Sequence, residues 1–124
     1  LLSAEPILNF LSSELATRMA RAERENKLHR ESSFVMAVPA READPSVQSE
    51  EAVVVQGVID AWFEENGKMI LLDYKTDRNR DPEHYRENYT AQLSLYALAL
   101  EMTEGKQVAE KLIYALSPGE LLTL

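Results

Sequence analysis

Leu8, Leu11, Leu15, Met19 and Ala22 recur at three- and four-residue steps, the spacing of one face of a helix. No glycine or proline interrupts them, so the pattern predicts an amphipathic helix over about 7–24. Ser3 suits its N-cap and Pro6 is tolerated in its first turn. Phe34, Val35 and Val38 predict a strand over about 28–38, ended by Pro39 and followed by a polar loop to residue 50. "AVVVQGVIDAWF" (52–63) and "KMILLDYK" (68–75) are β-prone and predict strands at about 52–64 and 68–75. Asn66-Gly67 lies between them, and this dipeptide is a strong hairpin signal because both turn positions want positive φ. Further along, Tyr85, Tyr89, Leu93, Tyr96 and Leu100 form one stripe of a helix over about 82–104. Asp81 can cap it, Pro82 suits its first position and Gly105 the residue after its end. "KLIYAL" predicts a last strand at about 108–116, stopped by Ser117-Pro118-Gly119. The order predicts an α/β fold, a mixed β-sheet with helices packed on it.

Composition narrows the function. A chain of 124 residues forms one domain or a piece of one. A hydrophobic share of 45% and a charged share of 27% are those of a globular protein. No apolar run approaches the roughly 20 residues of a membrane span, so no membrane partner is expected. The opening "LLSAEPILNF" has no initiator Met and no signal peptide, which predicts a partial domain cut from a longer chain. The absence of cysteine excludes disulfides, thiolate zinc sites and an iron–sulfur cluster in this chain, and fits a cytoplasmic location. Four scattered glycines cannot build a phosphate-cradling loop, so any ATP site is expected outside these residues. A net charge of −8 argues against a module that simply coats nucleic acid. It leaves room for an enzyme that needs acidic metal ligands.

The hairpin concentrates chemistry. With a two-residue Asn66-Gly67 turn, Glu65 faces Lys68, Phe63 faces Ile70 and Asp60 faces Asp73. A three-residue loop with a bulge would shift that register. Opposed residues on an antiparallel pair have Cβ atoms roughly 5 Å apart on the same face, where like charges are unfavourable. Lys75, two residues beyond Asp73, shares that face. Asp-x-Lys at a strand end is common by chance; paired with a second Asp it is not. Two carboxylates make an oxygen-lined site for Mg²⁺ or Mn²⁺, and a neighbouring Lys can stabilise charge on a phosphate or position water. These are the groups that metal-dependent phosphodiester hydrolysis requires.

At these residues the sequence resembles the RecB-like branch of the PD-(D/E)xK nucleases. "GVIDAWFEENGKMILLDYKTD" is similar to the stretch with the family's aspartates and lysine, "AQLSLYALAL" to its Gln-xxx-Tyr helix, and "LHRESSF" to an Arg-Glu strand of AddA-type helicase–nuclease subunits. The resemblance implies a restriction-endonuclease-like core and a DNA exonuclease acting in double-strand break repair and recombination. It also implies an AddB-type partner subunit, and ATP bound only in a helicase part absent from this sequence. It assigns Asp60 and Asp73 to the metal, with the backbone carbonyl of Tyr74 completing the shell, and Lys75 to catalysis. Gln92 and Tyr96 would support the site or contact DNA, and Glu31 matches a motif glutamate that is supporting, DNA-contacting or purely structural. The branch carries a further His or Glu ligand on an upstream helix. Here Glu5, Glu14, Glu23 and Glu25 are candidates that nothing singles out, and His29 lies in the first strand. The alternative is a nuclease-like module that binds DNA or a partner without cutting, which the intact Asp, Asp and Lys disfavour.

Overall fold

The structure is a computed structural model that describes residues 10–11, 13–44, 46–75, 82–115 and 120–124. Ser3, Pro6, Leu8 and Asp81 lie outside these residues. Within the stretch that the apolar spacing predicts as one helix, Phe10 and Leu11 are helical, the chain bends at Ser13, and α1 (Glu14–Arg24) follows. Ser13 has extended backbone (φ −78°, ψ 158°), and its Oγ accepts the Ala16 N–H at 3.1 Å while donating to the Phe10 carbonyl at 2.6 Å. A serine that satisfies backbone groups with its own hydroxyl caps a helix better than it continues one. In consequence Leu11, on the predicted apolar stripe, is 64% exposed, while Leu15, Met19 and Ala22 are buried.

β1 (Leu28–Pro39) leads through a single helical turn, α2 (Ala40–Ala43), within the stretch read as loop. β2 (Ala52–Glu65) and β3 (Lys68–Lys75) then form the predicted hairpin. Asn66 and Gly67 have φ of 53° and 77°, as a two-residue turn of this hand demands. α3 (Pro82–Glu104) crosses over to β4 (Val108–Ala115), which runs parallel to β3. β5 (Glu120–Thr123) returns antiparallel to β4. The sheet order is β1-β2-β3-β4-β5, a mixed sheet flanked by helices on both faces. Four residues past a Ser-Pro-Gly stop show too little alternation to predict β5 from sequence.

Each face of the sheet buries its own core. On one side α1 lays Leu15, Met19 and Ala22 on Ala61, Phe63, Ile70, Leu72, Leu112 and Tyr114. On the other, Tyr85, Leu93, Ala97 and Leu100 of α3 pack with Phe34, Ile59, Trp62, Met69, Leu71 and Ile113. Between these layers β3 is buried from Met69 through Asp73, as a strand covered on both faces must be. Arg18 ties α1 to the far end of the hairpin, with its guanidinium 2.7 Å from Glu65 and 2.6 Å from Glu110. The charged tip of β3 is thus the end of the most enclosed strand. That position, in a low-dielectric setting yet at a strand terminus, is where the site lies.

Candidate functional site

β2 and β3 keep the two-residue-turn register from Glu65–Lys68 to Ala61–Leu72. One step further Asp60 meets Asp73, and there the backbone ladder gives way to a side chain: Asp60 Oδ2 accepts the Tyr74 N–H at 2.9 Å. The two carboxyl groups meet as the hairpin predicts, but Asp60 also serves the backbone beside Asp73. Asp73 is only 5% exposed and lies within hydrogen-bonding reach of Asp60. Burial, and then that contact with Asp60, push its pKa up to about 6, against the opposing pull of Lys75. The neighbouring Asp60 carboxylate thus favours the protonated form of Asp73.

Lys75 Nζ lies 2.7 Å from Asp73 Oδ2. Apart from that lysine, this buried oxygen has no hydrogen-bond donor among the described residues. The ammonium is also oriented by α3: it donates to Gln92 Oε1 at 3.3 Å and sits 4.0 Å from the centre of the Tyr89 ring. Gln92 Nε2 in turn donates to Tyr96 Oη at 3.1 Å. Tyr96 packs edge-on against Phe34 at 5.3 Å. Gly57 lies beneath both rings, where a Cβ would stand 3.0 Å from Phe34 and 3.2 Å from Tyr96. Gln92 and Tyr96 therefore reach the lysine as a relay from the core.

Asp60, Asp73, Lys75, Gln92 and Tyr96 thus come together on the α3 side of the sheet. The Tyr74 side chain does not: its ring faces α1, with Oη 3.7 Å from Met19 Sδ and an edge-on contact with Phe10. Burial raises its phenolic pKa. What Tyr74 offers the site is backbone. Glu31 occupies the position on β1 opposite Asp60, outside the ladder, with its side chain exposed. His29 stacks on Trp62 at 4.0 Å. Tyr89 is the contact the sequence did not assign to the site. Its signal is its place three residues before Gln92, one helical turn away on the same face.

The site fits a hard divalent cation. It offers two converging carboxylates, one with a buried oxygen that has no donor but Lys75 among the described residues, and a charge repulsion that a cation would relieve. Among the described residues no third His, Cys, Asp or Glu joins them.

Comparison with known proteins agrees with this geometry. Residues 2–122 match the PD-(D/E)XK nuclease superfamily. The chain belongs to that family. It closely resembles the nuclease domain of AddA-type proteins, being 36% identical over 99% of its length to an ATP-dependent helicase/nuclease subunit of Clostridium kluyveri. The corresponding protein of Clostridium botulinum is 40% identical over 90% of the chain. The chain spans about a tenth of the length of these relatives, 10% and 9% respectively. The solved structure of SSO0001 shares the fold, with a TM-score of 0.51 at 14% identity, covering 95% of this chain and 48% of that one. As a PD-(D/E)XK nuclease-superfamily domain, the chain carries the mixed sheet expected of a restriction-endonuclease-like core.

Proposed function

We propose that this chain is a Mg²⁺- or Mn²⁺-dependent deoxyribonuclease domain that hydrolyses phosphodiester bonds. The carrying observation is the convergence of Asp60, Asp73 and Lys75 at the buried end of β3, in a member of this superfamily. Asp60 and Asp73 would hold the ion, with the carbonyl of Tyr74 beside them. The ion, when bound, would polarise the phosphate and lower the pKa of an attacking water. Asp73 must release its proton first, so the burial that raises its pKa makes metal binding depend on pH.

Lys75 carries the wrong charge to ligate a cation. Held by Gln92 and Tyr89 beside Asp73, it can stabilise negative charge developing on phosphate oxygens or position water. Gln92 and Tyr96 fix where that ammonium sits. Glu31, exposed and opposite Asp60 on β1, would bear on the site through its backbone and not through its carboxylate. The likeness to helicase/nuclease proteins extends the proposal to the longer protein: DNA exonuclease action in break repair and recombination, an AddB-type partner, ATP-driven DNA movement by the helicase part, and a cytoplasmic setting. Among the described residues no helix is long and apolar enough to cross a membrane.

Calorimetric titration of the chain with Mn²⁺ tests the proposal. Saturable binding that disappears in Asp73→Ala is expected; its absence from the unsubstituted chain would remove the metal site and with it this function.

A further inference from the structure

Along a β-strand, alternate residues face opposite sides of the sheet. β1 and β2 obey this in each half but not across the middle. In β2, Val55 and Ile59 pack in the α3 core, yet Ala61 and Phe63 pack in the α1 core. In β1, Phe34 and Met36 lie in the α3 core, while Leu28, of the same parity, packs against the α1 core. Both strands therefore exchange faces, at Glu31 in one and Asp60 in the other. The pairs Arg30–Ala61 and Ser32–Ile59 flank the exchange in an unchanged register, while Glu31 and Asp60 themselves drop out of the ladder.

Partners across a ladder lie on the same face. If only one strand switched, every pair beyond the switch would point apart, so an unchanged register requires both to switch at one opposed pair. Glu31 shows how: its φ is 52°. Among the described residues the other two non-glycine residues with positive φ are Asn26 and Asn66, a residue type that tolerates that conformation, whereas Glu31 takes it inside a strand. The consequence falls on Asp60. Alternation from Ala61 and Phe63 already puts Asp60 on the Asp73 face; released from the ladder by the exchange, its carboxylate reaches the Tyr74 N–H and Asp73.

We infer that Glu31 is a positioning residue, whose left-handed backbone conformation sets the paired face exchange that releases Asp60 from the ladder and lets its carboxylate take the Tyr74 N–H beside Asp73. Its carboxyl group makes no hydrogen bond or ion pair among the described residues; the backbone acts. The inference rests on the proposed function only where metal affinity is read.

The test compares Glu31→Gly, Glu31→Gln and Glu31→Val by two measurements, amide hydrogen exchange at Tyr74 and Mn²⁺ affinity. Glycine accepts positive φ freely and glutamine keeps the existing backbone, so both should leave the two readouts close to wild type. Valine, β-branched, resists this conformation. It should speed Tyr74 exchange and weaken Mn²⁺ binding by about tenfold or more, the usual effect of losing a group that orients a ligand. Threonine substitutes for valine if that variant does not fold. A glutamine variant as impaired as the valine one would overturn the inference, because the carboxylate would then be the working part. So would a folded valine variant with wild-type Tyr74 exchange. If wild type bound no Mn²⁺ but valine still exposed the Tyr74 amide, positioning would stand and the metal reading would fall. If wild type bound Mn²⁺ and all variants matched it, the reverse would hold.

Discussion

Lys75 Nζ lies 2.7 Å from Asp73 Oδ2, two residues back on the same strand, and also donates a hydrogen bond to Gln92 on the facing helix. The lysine is thus attracted by one element and aimed by another. Its position depends on packing between β3 and α3 rather than on the ion pair alone.

From that arrangement, Lys75→Ala in the full-length protein should abolish DNA cleavage, with Mn²⁺ affinity retained or slightly increased, since a competing cation has been removed. Parallel nuclease and calorimetric assays check it. Wild-type cleavage by the alanine variant would show that the lysine is not part of the reaction.

The raised pKa of Asp73 has a defined sign in stability. Its folded-state value of about 6 lies above the ordinary 3.8, so the folded state binds the proton more tightly than the unfolded one. This contribution is fully present below about pH 4 and is lost as pH rises through about 6. A shift of about two units corresponds to roughly 3 kcal/mol at most. Urea melts in EDTA from pH 4 to 8 should show that wild type loses stability relative to Asp73→Asn across this window. A constant difference between the two proteins would contradict the raised value.

Asp60 has two roles that substitution can separate. Asp60→Asn retains an acceptor for the Tyr74 N–H and removes one of two opposed charges, a gain of roughly 0.2–1 kcal/mol. At pH 8 in EDTA it should melt at or above the wild-type temperature. Millimolar Mg²⁺ or Mn²⁺ should narrow or reverse that order, because the ion stabilises the wild type. Asp60→Ala leaves the Tyr74 N–H without its partner and should lose about 1–3 kcal/mol. Thermal melts of the three proteins decide it; an asparagine variant as unstable as the alanine one would deny the charge repulsion.

Gly57 sits where Phe34 and Tyr96 close over the backbone, with no room for a side chain. Gly57→Val should therefore displace one of the rings and cost about 1–3 kcal/mol, as overpacking usually does. Through Tyr96 it should also loosen Gln92 and lower cleavage more than Mn²⁺ affinity. A valine variant with unchanged stability and cleavage would separate Tyr96 from the lysine.

The hairpin, its register and the clustering of Asp60, Asp73 and Lys75 were all legible in the order of residues. Each follows from local rules: the Asn66-Gly67 turn sets which residues oppose, and alternation sets which share a face. The α3 stripe was legible too, because helical spacing is equally local. Contacts between distant segments settle the places where local rules are broken. The helix break at Ser13 depends on a hydroxyl taking backbone partners, and β5 exists because β4 offers an edge. The burial that raises the Asp73 pKa depends on how the whole sheet is packed, which the order of residues along β3 does not state. Most of all, strict alternation leaves Asp60 at a direct ladder pairing with Asp73. The observed face exchange at Glu31 and Asp60 needs two strands to distort together, a constraint that no window along one strand contains.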